Sequence, residues 1–223
     1  MKTGIEYLTS DTKRRLDLIG GSIIAASILP AAAVIGTVAA VDTKDFNPFF
    51  EQERLGKGGE PFKALKFRTI AKSAMSERTY GTFDPRASRI GQLLRQSGLD
   101  ELPQIRNVID GSMSLVGARP MVAPDIEFMA DVAPHLFDEW HGYYQATRPG
   151  LAGPSQAYRH HFRNGISREI YRQSAELDLR YFDTASLTAD MKILARAPID
   201  MLLANMEVVE NVDMAATEER TAA

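Results

Sequence analysis

Two carboxylates stand side by side at Asp100 and Glu101, inside the string Leu99-Asp100-Glu101-Leu102-Pro103-Gln104. At a helix start, neighbouring side chains diverge by roughly 100°, so the two acids can serve different partners. One can attack an electrophile while the other ligates a divalent cation. The positive end of a helix favours anions by about 0.3–1 kcal/mol, which helps keep both ionised. The plain alternative is capping, since Asp is a good N-cap type and Pro103 suits a first turn. The cations nearby weigh against it. Arg86, Arg89 and Arg95 lie upstream, Arg119 follows Gly117-Ala118, and Arg148 opens Arg148-Pro149-Gly150. Guanidinium groups recognise phosphate in two-pronged fashion. With Lys66 and Arg68 they describe a diphosphate site that needs a hard metal, and magnesium often bridges carboxylate to phosphate. Taken singly, each cation is equally explained as a solvated surface residue.

The elements that must hold these residues are short. Residues 49–54 and 61–69 read as two strands joined by Gly56-Lys57-Gly58-Gly59, a loose hairpin. A period of two puts Phe62, Ala64, Lys66 and Arg68 on one face of the second strand. Residues 70–83 read as a polar loop. Residues 88–96 read as a helix with Ile90, Leu93 and Leu94 on one side, ended by Gly98. A second helix is expected from Asp100, with Leu102, Ile105 and Val108 or Ile109 inward. Residues 148–154 read as a loop. Three helices follow over 167–182, 186–196 and 199–209, then an Ala-, Thr- and Glu-rich tail.

Composition excludes several chemistries. The 223 residues contain no cysteine, so there is no disulfide scaffold, thiolate zinc site or Cys nucleophile. Four histidines without an H-x-x-x-H pair offer little for a His-rich metal site. His160-His161 reads as incidental at least as well as a phosphate contact, and the one tryptophan, Trp140, as packing or as an interface anchor. The net charge of −3 gives no global basic field, so no nucleic-acid partner is expected.

Residues 18–41 carry no charge at all. As a helix this run is roughly 36 Å long, against a hydrocarbon core of about 30 Å. Lys13, Arg14 and Arg15 precede it and would hold its start at a headgroup surface. Three arrangements are open: a cleaved leader, a simple spanning helix, or a helix kinked at Pro30 that returns to the leaflet it entered. Proline removes one backbone hydrogen bond, a loss that Ser27 or a water could offset.

These pieces, in this order, resemble the monotopic phosphoglycosyl transferases, also called bacterial sugar transferases. The matching residues are Lys13-Arg14-Arg15-Leu16-Asp17 before the apolar run; Gln52, Arg54 and Gly56; Lys66-Phe67-Arg68-Thr69; Asp84-Pro85-Arg86; Leu94-Arg95; and the string around Asp100. Met113-Ser114-Leu115-Val116-Gly117, Arg119-Pro120, Arg148-Pro149-Gly150, Ser186-Leu187 and Asp190-Met191-Lys192-Ile193-Leu194 complete the set. The likeness covers residues 13–197. It implies transfer of a phosphosugar from a UDP-sugar to polyprenyl phosphate, initiating bacterial glycan assembly such as exopolysaccharide. It implies Asp100 as nucleophile and Glu101 as the Mg2+ ligand. Lys66, Arg68, Arg95, Gln104, Arg119 and Arg148 are implied as substrate contacts. The implied fold is α+β and mostly helical, with an N-terminal re-entrant membrane helix, a small β-hairpin and amphipathic interfacial helices. Segments 1–41, 42–209 and 210–223 would then be the membrane segment, a catalytic domain on the cytoplasmic face of the bacterial inner membrane, and a tail. The apolar helices could pack in a homodimer or against lipid.

Four positions depart from the family pattern. Leu29 rather than serine precedes Pro30, Ala118 replaces a proline, Gly153-Pro154-Ser155-Gln156 replaces Gly-Trp-Ala-Gln, and Gly98 stands where a hydroxyl residue is common. The rival of a different class is a membrane-anchored module that binds a nucleotide or anionic lipid without chemistry.

Overall fold

Helix formation near the N-terminus starts earlier than the charge-free run. The computed structural model describes residues 3–74, 84–155 and 167–197. After α1 (Thr3–Thr9), Ser10 caps a continuous helix, α2 (Asp11–Thr43), by accepting the Lys13 backbone N–H. Lys44, in a left-handed conformation, ends it. Helical geometry continues through Pro30. Ser27 donates to the carbonyl of Ile23, its own i−4 partner, and not to Ala26, whose carbonyl Pro30 cannot serve.

One face of α2 is built of Lys13, Asp17, Gly21, Gly36, Ala39 and Thr43, all buried. Gly21 abuts Val108, and Gly36 the ring of Phe67, so small residues let the helix lie close to the domain. Ala39 joins Phe67 and Leu94 in a satellite core, and Asp42 accepts from the Ser88 hydroxyl. Both halves of α2 therefore pack on the same body. Its other face exposes Ile19, Ile23, Leu29, Val34 and Val41, each more than 60% accessible.

The three leading cations separate because consecutive helical residues point about 100° apart. Lys13 is 3% exposed and pairs with Asp17 at 2.8 Å and Asp190 at 2.9 Å. Arg14 donates to the carbonyls of Val108 (2.6 Å) and Ile109 (2.9 Å) at a helix C-terminus. Of the three, Arg15 alone is exposed.

Strands β1 (Phe49–Leu55) and β2 (Pro61–Phe67) form the expected antiparallel hairpin, in register from Phe49↔Phe67 to Leu55↔Pro61. Then come α3 (Arg89–Ser97), a 3-10 turn (Leu99–Gln104), α4 (Ile105–Asp110) and β3 (Ser114–Val116). Two helices that the sequence pattern does not announce follow, α5 (Ala123–Val132) and α6 (Pro134–Ala146). The expected loop over 148–154 contains a short strand, β4 (Gly150–Ala152), parallel to β3. A Cβ on Gly150 would sit 2.0 Å from the nitrogen of Gly117, the residue after β3, so the chain approaches this closely there only with glycine at 150.

α7 (Arg168–Thr184) and a helix over 187–197 close the described chain. The apolar side of α7, with Tyr171, Ala175, Tyr181 and Phe182, is taken up by the core. Its outer face carries the Glu169–Arg172–Glu176 ion pairs, so this candidate interfacial helix offers no free apolar face. The candidate over 199–209, the tail and His160-His161 lie outside the described residues.

Trp140 is a core residue, fully buried, stacked on Tyr144 and donating to Asp178 Oδ2 at 3.2 Å. Burial pushes the Asp178 carboxyl up to about 7, against smaller opposing effects of its hydrogen bonds with Trp140 and Ser155. Between the ordinary carboxylate range and pH 7 the unfolded chain has released a proton that the folded chain retains. Stability therefore falls as pH rises through that window, and the cost is complete above it. Asp178→Asn removes the ionisation. Its stability advantage over the parent should be small at pH 5 and grow by about 2–3 kcal/mol by pH 8, read from the denaturant midpoints. An equal pH dependence in both proteins would refute the assignment.

Candidate active site

Helix α3 begins at Ser88, whose hydroxyl accepts the Gly91 N–H, and ends at Gly98, which takes φ 69° as a left-handed cap. The chain then enters the 3-10 turn directly. Asp100 is thus inside a turn and not the N-cap of an α-helix; regular α geometry begins only at Ile105. Pro103 accounts for this, because it has no N–H to return to the Leu99 carbonyl. A 3-10 turn has three residues per turn, so Asp100 and Glu101 diverge even more than expected. Both are buried, at 7% and 9% exposure, and Gln104 is 2% exposed.

Beside this turn lies a shallow pocket lined by Arg54, Ala64, Lys66, Glu101, Gln104, Arg119 and Pro120. Lys66 Nζ donates to Glu101 Oε1 at 3.1 Å, and Arg119 Nη2 lies 3.5 Å from the same oxygen. Burial pushes the Lys66 ammonium below its ordinary value. The Glu101 and Asp100 carboxylates oppose that shift, while Arg54 and Arg119 reinforce it. Arg54 is lowered in the same way, by burial first and then by Arg119. Concentrated positive charge facing a buried acid is the arrangement that receives an anionic ligand.

The turn bearing Arg119 hangs from the end of the hairpin. Leu55 donates its N–H to the Met121 carbonyl at 2.8 Å. The Tyr144 hydroxyl accepts the Met121 N–H and donates to the Leu55 carbonyl. Arg54 donates to the Pro120 carbonyl at 3.0 Å and to Gln52 Oε1 at 2.7 Å. Arg54 belongs to the matching family pattern without an assigned role of its own, and Tyr144 belongs to no motif. Alternation along β1 puts Gln52 and Arg54 on one face, the local signal that points to Arg54; none points to Tyr144.

The other expected substrate contacts are placed elsewhere. Arg68 donates to the Phe49 carbonyl at 2.9 Å, pairs with Asp45 and lies over the Phe50 ring, at the base of the hairpin. Arg148 Nε donates to the Gly111 carbonyl at 2.9 Å. Arg95, half-buried on the last turn of α3, is not among the pocket's lining residues. Asp100 is not among the lining residues either, but it precedes Glu101 on the same turn and its carboxylate acts on the Lys66 ammonium.

No group of three or more His, Asp or Glu side chains gathers as a metal cage among the described residues. That donor set still fits magnesium, which takes one or two carboxylates and completes its shell with phosphate and water oxygens.

Residues 8–204 match the family model described as Bacterial sugar transferase. The chain is 35% identical over 198 residues to the UDP-glucose:undecaprenyl-phosphate glucose-1-phosphate transferase of Caulobacter vibrioides, covering 85% of this chain and 69% of that protein. It is 33% identical over 200 residues to the UDP-galactose-lipid carrier transferase of Erwinia amylovora, covering 82% of this chain but only 38% of that longer protein. It is 32% identical to the exopolysaccharide production protein ExoY of Rhizobium meliloti, covering 82% and 81%.

Proposed function

Since this chain belongs to the bacterial sugar transferase family, and is therefore an enzyme that transfers sugar phosphate, we propose that it moves a phosphosugar from a UDP-sugar to polyprenyl phosphate through Asp100. A carboxylate oxygen of Asp100 attacks the phosphorus that bears the sugar. The bond from that phosphorus to the bridging oxygen breaks, and UMP leaves with the oxygen. A phosphate oxygen of the lipid then attacks the same phosphorus, returning the carboxylate and forming the polyprenyl diphosphosugar. The observation that carries this reading is a buried Asp100 next to a pocket where Lys66 and Arg119 converge on Glu101.

A carboxylate is a weak nucleophile facing an anionic centre, so the approach needs neutralisation. Lys66, Arg119 and Arg54 supply fixed positive charge in a site poor in water, where it acts strongly. Glu101 holds Lys66 in place and would also hold magnesium, with Asp100 alongside. The ion would supply Lewis-acid polarisation of the diphosphate. Splitting the transfer in two lets one small pocket serve donor and acceptor in turn.

The membrane arrangement is part of the same reading. α2 is long and apolar enough to cross a bilayer. A crossing helix leaves its ends on opposite sides. Here Gly21 packs on Val108 and Gly36 on Phe67 of the same domain, so both halves of α2 are held by one body, as a return to the entry leaflet requires. Ile90 and Leu93 on α3, exposed at 45% and 62%, extend the apolar surface next to the turn of Asp100. The domain would then sit on the cytoplasmic face of the inner membrane, with the acceptor's phosphate within reach at the headgroup plane.

The test is turnover by the full chain in lipid nanodiscs. UMP should be released from a UDP-sugar in the presence of polyprenyl phosphate and magnesium, and a chelator should stop it. A panel of UDP-sugars identifies the donor, because the relatives' names carry glucose in one case and galactose in another. Binding without UMP release would instead favour a recognition module. The absence of cysteine makes labelling simple: thiols introduced at positions 6 and 46 should react from the same side.

A further inference from the structure

Strand β2 has two edges. One pairs with β1; among the described residues, the other is met by the Asn107 side chain from α4. Asn107 Oδ1 accepts the Leu65 N–H at 3.0 Å, and its Nδ2 donates to the Lys63 carbonyl at 2.9 Å. A carboxamide carries the donor and acceptor of a peptide group, so Asn107 occupies the place of one residue in a third strand. It is only 5% exposed. Its Nδ2 also donates to Ser112 Oγ at 3.2 Å, and its own carbonyl accepts the N–H groups of Gly111 and Met113.

We propose that Asn107 is a positioning residue for phosphoryl transfer: by docking its carboxamide on the free edge of β2 it sets Lys66 opposite Glu101. Lys66 is the residue after the clamped Leu65. Glu101 lies on the turn that runs directly into α4, the helix carrying Asn107. The clamp thus joins the two segments whose side chains meet at 3.1 Å. In a strand of period two, a slip of one residue would turn Lys66 away and present Leu65. Two hydrogen bonds to backbone atoms of consecutive odd positions, 63 and 65, block that slip.

The inference rests on the reading that the Lys66 ammonium neutralises phosphate charge during transfer. Its test is a double-mutant cycle on the full chain in nanodiscs. Asn107→Asp keeps the shape and the acceptor for Leu65, but sets a second acceptor against the Lys63 carbonyl. It should lower kcat by roughly 10²-fold, the scale of an ångström-level misplacement. In a Lys66→Gln background the same change should cost less than about 3-fold, because the positioned group is already gone. Full multiplication of the two effects would mean a general structural role and overturn the proposal. So would an Asn107→Asp enzyme with parental kcat while Lys66→Gln is impaired. A Lys66→Gln enzyme at full speed would overturn the proposal together with the Lys66 role beneath it. Should the Asp variant not fold, Asn107→Gln keeps the amide chemistry one methylene too long. In that variant Lys66 should be acylated faster by an amine reagent than in the parent, with exposed Lys57, outside the clamp, as internal reference; an unchanged rate counts against the clamp.

Discussion

Asp100→Asn should abolish both the proposed covalent adduct and turnover, with kcat falling by roughly 10³-fold or more, the scale expected when a nucleophile is removed. Intact mass of the parent enzyme after brief exposure to donor, without lipid acceptor, should rise by one phosphosugar. The Asn variant should show no such gain. The substitution is close to isosteric, and an amide oxygen lacks the charge needed to form the bond to phosphorus. Asp100 is buried on a turn fixed by Gly98 and Pro103, so the change removes chemistry while leaving the surroundings in place. Because Lys66 and Arg119 face Glu101, donor affinity should change far less than kcat. An Asp100→Asn protein that still forms the adduct would move the nucleophile elsewhere.

Lys13→Met should destabilise the protein by about 3–5 kcal/mol, the usual cost of breaking a buried ion pair from one side. Lys13 is the cation between Asp17 and Asp190, which are 1% and 4% exposed. Asp17 also accepts the Leu115 N–H, and Asp190 accepts the hydroxyls of Tyr7 and Tyr181. Burial, with Asp190 next to them, pushes both phenols above their ordinary range, so they remain protonated donors. Without the ammonium, two carboxylates would share a dry site. Total stability of a domain is about 5–15 kcal/mol, so the loss is easily read as a lower denaturant midpoint in detergent. A Lys13→Met protein with the parental midpoint would show the cluster to be dispensable.

Local chemistry was legible in the sequence, and partner choice was not. The Asp100-Glu101 pair, the hairpin, the helix ended by Gly98 and the apolar run all follow from rules spanning a few residues. What the pattern missed depends on distant contacts. Lys13 looks like a headgroup cation until Asp190 is brought beside it, and Arg14 until it finds the end of α4. Arg68 shares a strand face with Lys66, but its long side chain turns back to the Asn47–Phe50 backbone and Asp45. Arg54 and Asn107 act mainly through backbone carbonyls and amides, which no residue pattern advertises. α5 and α6 went unread because their apolar residues make sense only against α7 and the β3–β4 ladder. The strand at Gly150–Ala152 hides in a Pro- and Gly-rich string because glycine here permits close approach instead of a turn.

The single indole of this chain gives it a built-in optical probe. Trp140 has no solvent contact, lies 5.0 Å centroid to centroid from Tyr144 and donates to the Asp178 carboxyl, which burial pushes up to about 7. Its emission therefore originates from one point, the seam between α6 and α7, with no second fluorophore of its kind to average over. Spectral colour then gauges wetting of that seam, while the long apolar helix α2, lacking any indole, stays dark.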